Sequence, residues 1–416
     1  MITTCNGRTG TLLNYVWLGL VAISVIVAAF TGHMESLTTA VFASAKTAVS
    51  IALDLIGIMA LWLGVMKIAE KAGFIQLLAR AVRPVTRFLF PDVPGDHPAL
   101  GAMTLNISAN WLGLGNAATP FGLKAMEDLQ ELNPVKDTAS NAMIMLMALN
   151  TSSITLMPMT IIGVRTGLNS ANPVAVIGPT IFSSVMASIV AVLAVKVFIS
   201  AGSGSTLKSL GKALPVVLAI VAVLAGLFWA ASRWLDPVAF KNGVMLVSTW
   251  LIPLLLLVIP VLAFVRKVRV FEEFVEGAKE GFQVALRIIP YLVGLLAAIG
   301  MFRASGAMNF LVTILSPLTN LIGMPAEVLP AALMRPLSAN GTLGIITELM
   351  QTHGADSFIG MLSSTIYGCT ETTFYVLAVY FGAVQIKKTR FAVPAGLLAD
   401  AAGILAALFI CRVLWG

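Results

Sequence analysis

The sequence predicts an all-α polytopic membrane protein with two inverted-topology repeats, re-entrant hairpins, broken helices and about nine full spans. Three observations predict it. Of 416 residues, 58% are hydrophobic and 11% charged, and the mean hydropathy is +0.94, whereas soluble domains carry about 25% charged residues. Several nearly charge-free windows reach the roughly 20 residues a helix needs to cross a hydrocarbon core about 30 Å thick. Finally, short motifs of the first half recur, in order, in the second. An ordinary soluble protein is excluded.

The windows run 11–31, 47–66, 140–162, 173–195, 213–232, 243–265, 281–302, 357–386 and 391–411. The first is longer than the apolar core of a secretory signal, roughly 7–15 residues, and lacks a small-residue cleavage site, so it is taken as a span. Four basic groups set the orientation: Arg80, Arg83 and Arg87; Lys208 and Lys212; Arg266, Lys267 and Arg269; Lys387, Lys388 and Arg390. Basic loops stay on the cytoplasmic side. All four groups can lie inside only if 97–130 and 328–352, both interrupted by Gly, Pro and Asn, enter and leave on one side as re-entrant hairpins. Segments 72–90 and 305–322 are expected to be interfacial amphipathic helices.

The 26 Lys and Arg against 19 Asp and Glu give +7. Because these cations sit in short groups between apolar stretches, no nucleic-acid partner is expected. Cys5, Cys369 and Cys411, like His33, His97 and His353, are too scattered for a disulfide framework or a metal site. Neither a phosphate-binding loop nor a catalytic triad is present, so the chain is not expected to be an enzyme.

At a constant offset, 278 − 45 = 233, Ala45-Lys46 falls on Ala278-Lys279, Gly73 on Gly306 and Pro84 on Pro317. Further on, Ser108-Ala109-Asn110 recurs as Ser338-Ala339-Asn340, and Asn150-Thr151-Ser152-Ser153 lies opposite Cys369-Thr370-Glu371-Thr372. The charge rule runs matching spans in opposite directions, a construction of secondary transporters that bind solute at the midplane between the repeats. Residues 1–200 form the first repeat, 201–212 a linker containing the Gly/Ser-rich stretch Ala201–Thr206, and 213–416 the second.

Candidate substrate-binding residues are the polar groups at the interruptions. Asn150, Thr151, Ser152 and Ser153, followed by Pro158, point to an unwound helix whose freed backbone groups meet short polar side chains. Thr370, Glu371, Thr372 and Thr373 do the same in the other half. Glu371 is the strongest candidate, because an ionisable group at that depth costs roughly 2.5–3.5 kcal/mol and needs a wet cavity or a partner. Hairpin residues Asn106, Ser108, Asn110, Asn116, Ser338, Asn340 and Thr342 offer amides and hydroxyls beside turn-forming glycines, and Arg335 could meet an anion. Packing between membrane helices uses the same Ser and Thr residues, Glu371 could equally be a paired structural acid, and Arg335 an interfacial anchor. Asp54 and Arg287 fall at one repeat position, 54 + 233 = 287, and are expected to form a structural ion pair; Asp400 has no evident partner.

The run Leu105-Asn106-Ile107-Ser108-Ala109-Asn110-Trp111-Leu112-Gly113-Leu114-Gly115-Asn116 resembles the spore maturation protein A family. Arg335-Pro336-Leu337-Ser338-Ala339-Asn340-Gly341 and Ile366-Tyr367-Gly368-Cys369-Thr370-Glu371-Thr372-Thr373 resemble the spore maturation protein B family. Both belong to the nucleoside-recognition, or Gate, group, which is similar to parts of concentrative nucleoside transporters and of ferrous-iron transporter B. The resemblance implies paired hairpins and broken helices forming a substrate site and a coupled cation site. The nucleoside-binding signature is not reproduced residue by residue.

The expected function is therefore a secondary transporter or permease for a small polar or anionic solute, coupled to Na+ or H+. The alternative is a non-transporting integral component of an envelope or spore-maturation complex. The expected location is the bacterial inner membrane, multi-pass, with the lipid bilayer and a small solute as partners and a homo-oligomer compatible with the sequence; no cofactor is expected beyond the coupling cation.

Overall fold

A computed structural model describes residues 9–113, 115–200 and 237–416; the expected span 213–232 and the linker lie outside the described residues. Among the described residues the protein is all-helical, with 82% helix. In chain order the helices are α1 (Thr9–Thr31), α2 (Met34–Lys71), α3 (Phe74–Leu89), α4 (Pro98–Trp111), α5 (Gly115–Leu132), α6 (Asn141–Thr151), α7 (Met159–Gly167) and α8 (Ile177–Ser200). They continue with α9 (Pro237–Val265), α10 (Val270–Ala304), α11 (Ala307–Ile322), α12 (Leu329–Met334), α13 (Ala339–His353), α14 (Phe358–Cys369), α15 (Thr373–Ala383) and α16 (Ala392–Trp415).

Local chemistry explains the helix boundaries. The Ser140 hydroxyl accepts from the Met143 N–H to start α6, and Ser338 does the same for Gly341 in α13; each satisfies one of the orphan donors of a first turn. Gly73 and Gly306, matched by the 233 offset, both adopt left-handed backbone, φ 71° and 86°. Each turns a long helix into a short one, α2 into α3 and α10 into α11, a conformation that glycine enters without steric cost.

Among the described residues, three helical stretches are long and apolar enough to cross a membrane alone: Met34–Lys71, Pro173–Ser200 and Ala392–Trp415. A fourth would be the pair Leu292–Ala304 and Ala307–Ile314, bent by 81°. The windows 140–162 and 357–386 are not single helices. The first is divided between Thr151 and Met159, the second between Cys369 and Thr373. Segment 97–130 forms the helical hairpin α4–α5, turning at Gly113, φ 74°. Segment 328–352 is less regular than the expected hairpin: its first arm, α12, has only 6 residues, and although Arg335 keeps helical backbone, φ −55° and ψ −47°, Pro336 has no N–H with which to continue the helix.

The helices fall into two compact units, each assembled from both halves of the chain. One comprises Met1–Ile68, Met159–Val174 and Arg269–Tyr367, with α10 packing on α1 and α13. The other comprises Ala69–Pro158, Ala175–Val268 and Gly368–Gly416. In it α8 packs along α16, α4 against α5, and α6, α15 and α16 against one another, around a core that includes Met103, Met126, Met143, Phe198 and Phe381.

Candidate functional site

The second unit brings hairpin α4–α5 together with both helix breaks. In the first break, α6 stops at Thr151 and Ser152–Pro158 is non-helical until α7. The freed backbone groups are met by α8, whose Ser184 hydroxyl accepts from the Thr155 N–H and whose Ser188 hydroxyl donates to the Ser152 carbonyl. The Ser152 hydroxyl bonds back to Ala148 O at 2.9 Å. A break among apolar helices survives because such groups replace the lost helical hydrogen bonds.

The second break meets the first directly. The Glu371 N–H donates to the Thr151 carbonyl at 2.6 Å, so the carbonyl end of α6 faces the start of α15. Helix ends carry opposite partial charges, and this juxtaposition is electrostatically favourable. Thr373, the first residue of α15, donates through its hydroxyl to Asp400 Oδ2 of α16 at 2.5 Å. Asp400 is buried; a carboxylate beside a helix N-terminus is favourably placed. Gly396 and Gly403, one turn to either side of Asp400, let the break approach: a Cβ on Gly396 would lie 2.7 Å from Thr373 Cγ2, and one on Gly403 2.9 Å from Thr370 Cγ2.

Beside the breaks, four polar side chains form one buried node. Asn150 donates to Asn106 Oδ1 at 2.8 Å and to Leu146 O. Its own Oδ1 accepts from Asn110 at 2.7 Å and from the Tyr380 hydroxyl at 3.0 Å. Asn106 donates to Ala118 O at 2.8 Å and to Tyr380 Oη at 3.1 Å. Asn106 and Asn150 are therefore occupied by protein groups, as buried amides must be, and Asn110 carries the node to the surface of the unit. Gly122 makes room for it, since a Cβ there would sit 2.3 Å from Tyr380 Oη and 2.8 Å from Asn106 Nδ2. Gly122→Ala is expected to cost about 1–3 kcal/mol, the usual penalty of overpacking a rigid site. Thermal unfolding of the purified variant in detergent checks this; an unchanged midpoint would count against the node's rigidity.

Other expected site residues are distributed as follows. Ser108 is spent on Thr104 O at 2.7 Å, and Thr151 contacts Met147 Sδ. Ser153, Thr370, Thr372 and Thr373 are buried, while Glu371 is exposed. Arg335, Ser338, Asn340 and Thr342 belong to the first unit. There Arg335 is buried with its guanidinium 4.7 Å from the Tyr367 ring centroid, Ser338 caps α13, Thr342 donates to Ser338 O, and Asn340 is half-buried. The side chains of Asn116, Asp54 and Arg287 lie outside the described residues, so the expected Asp54–Arg287 pair does too.

Sequence reasoning missed Tyr380, Ser184, Ser188 and Arg165, and left Asp400 unassigned. Tyr380 was detectable as a phenol in an apolar helix, because a buried tyrosine hydroxyl seeks a partner. Ser184 and Ser188, four residues apart, were detectable as a one-face polar pair in an apolar span.

The family profile described as Gate, nucleoside recognition, matches residues 52–167 and 285–387, together more than half of the chain. Spore maturation protein B of Bacillus subtilis (strain 168) is 50% identical over 169 residues, covering 41% of this chain and 95% of that protein. Spore maturation protein A of the same organism is 42% identical over 182 residues, covering 44% of this chain and 93% of that protein. A solved structure of CNTnw in an outward-facing state aligns over 94% of this chain and 98% of its own at 14% identity, with a TM-score of 0.18, too low to bear on the fold. By its family profile and by these two relatives, this membrane protein belongs to the nucleoside-recognition, or Gate, family.

Proposed function

We infer that the protein is a secondary transporter or permease that moves a small polar or anionic solute across the bacterial inner membrane as a multi-pass protein of nine spans in two inverted repeats. The observation that carries this reading is the meeting of two interrupted helices at the Thr151–Glu371 hydrogen bond, beside hairpin α4–α5. Unwound backbone at membrane depth is tolerated where protein or a wet cavity surrounds it, and in transporters such half-helix ends face the solute and its coupling ion. The family's nucleoside-recognition description supports a transport role. Glu371, exposed at the break, supplies the carboxylate, Asn110 and Ser153 supply neutral donors and acceptors, and Na+ or H+ is the coupling cation. No enzymatic step is part of this reading.

The test is uptake by proteoliposomes containing the full chain, assayed against nucleosides and a panel of organic anions under Na+ or proton gradients. Flux of at least one solute is expected, with Glu371→Gln and Ser153→Ala reducing it at least tenfold while the protein still folds. The names of the two relatives favour a second reading, a non-transporting component of a spore-maturation assembly. Absence of flux across the panel, with folded and correctly inserted protein, would sink the transport reading in favour of that one.

A further inference from the structure

The second unit contains a cleft of about 460 Å³ that is lined by Asn110, Ser153, Ile154 and Ser188 at the first break and continues between α3 and α8 as far as Lys196. It is lined by Val82, Val85 and Phe88 of α3, by Val185, Ile189 and Val192 of α8, and by Trp111 at the end of α4. Away from Asn110, Ser153 and Ser188 at the break, the walls between α3 and α8 are apolar up to Lys196 except for Thr86, which suits a hydrocarbon chain. The rim is open to the surroundings: Val85 is 47% exposed, Phe88 70% and Ile189 37%.

One end of the cleft is cationic. Lys196, the single charged residue of α8, lines it and holds its ammonium 4.0 Å from the Phe88 ring centroid. Among the described residues no carboxylate pairs with it. The neighbouring α3 carries Arg80, Arg83 and Arg87 and no acidic residue, and all three arginines are exposed. From Val185 to Lys196 the helix rises about 16 Å, at about 1.5 Å per residue, close to one leaflet of a hydrocarbon core about 30 Å thick. An apolar trough one leaflet deep, ending at an unpaired ammonium and beside a basic amphipathic helix, matches the shape and charge of one lipid class.

We propose that this cleft holds an acyl chain of an anionic phospholipid from the surrounding leaflet, its phosphate resting on Lys196 and its chain lying against Trp111. The lipid would brace the flank of hairpin α4–α5. This does not require that the protein transport anything.

The experiment uses the full chain purified in detergent, with phosphatidylglycerol or phosphatidylcholine of identical chains added back and retention read by native mass spectrometry. Phosphatidylglycerol is expected to be retained about fivefold better, the equivalent of about 1 kcal/mol for one basic residue near the headgroups. Lys196→Gln should abolish that preference, Lys196→Arg should keep it, and Ile189→Trp should lower retention of both lipids by filling the trough. If Lys196→Gln does not fold, rising salt must erode the preference in the parent protein, because exposed charges are screened. Equal retention of the two lipids, a preference that survives Lys196→Gln or high salt, or unchanged retention in Ile189→Trp would each overturn the proposal. So would stabilisation by inorganic phosphate alone through Lys196, which would make the occupant a free anion.

Discussion

Replacing Gly281 by valine is expected to force α10 away from α2 and to destabilise the protein more than Gly122→Ala does. A Cβ at Gly281 would lie 2.5 Å from Met59 O and 2.6 Å from Ala60 Cα; one at Gly277 would lie 2.3 Å from Leu63 O. These obstacles are backbone atoms of a helix and cannot swing aside. Glycines four residues apart are how membrane helices come close enough for their backbones to touch, since lipid offers little hydrophobic drive for association. Overpacking costs about 1–3 kcal/mol where side chains can adjust, and here the upper end or beyond is expected. Gly101→Ala is the control, because a Cβ there meets nothing within 4 Å and alanine is the better helix former by about 1 kcal/mol. Thermal unfolding of both variants decides it: a Gly281→Val protein as stable as Gly101→Ala would refute the close crossing.

Arg165→Met is expected to cost about 3–5 kcal/mol, because it strands several carbonyls that the buried guanidinium satisfies, at about 1–3 kcal/mol for each one left without a partner. Arg165, fully buried in α7, donates to Ala355 O at 2.6 Å and Asp356 Oδ1 at 2.8 Å. It also donates to Pro173 O, Asn172 O, Ser170 Oγ and Ser364 Oγ. The guanidinium thus ties the loop after α7 to the loop between α13 and α14, and methionine fills its volume while leaving those carbonyls unpaired. Asp356→Asn should cost less, about 1.5–3 kcal/mol, since Asp356 is 45% exposed and water can replace part of what is lost.

The same pair has a pH signature. Burial would raise the Asp356 pKa, but the Ser170 hydroxyl, the Ala171 N–H and the Arg165 guanidinium outweigh it and hold the carboxyl below its ordinary value. A carboxyl depressed in the folded state contributes its stability above the unfolded value, about 3.9, and loses it as pH falls through the folded value. The gap in unfolding midpoint between the parent and Asp356→Asn should therefore be constant from about pH 5 to 8 and close below about pH 4. A gap that widened on acidification would contradict the assignment.

Much of this architecture was legible because membrane solvent imposes few choices. The Met157-Pro158 interruption and the Asn/Thr/Ser run at 150–153 foretold a break, and the Thr370–Thr373 run foretold its counterpart. What could not be read was which polar groups satisfy each other. Asn106 and Asn150 looked like ligands because amides donate and accept, yet they face one another and Tyr380, an association over 274 residues of sequence for Asn106 and Tyr380. Nor could the helix that seals each break be inferred: Ser184 and Ser188 serve the first, Asp400 the second, and nothing local to Asp400 announces Thr373. The 6-residue α12 shows the remaining difficulty, since a Pro in a hairpin motif fixes where an arm ends without fixing how long it is.

The shared bond between Thr151 and Glu371 makes each truncated helix the other's stopper. Inserting one residue into α6 would rotate its terminal carbonyl by about 100° and strand the Glu371 amide, so a frame change in one half of the chain would be felt at once in the other. The two interruptions must keep phase, lengthening or shortening only in concert.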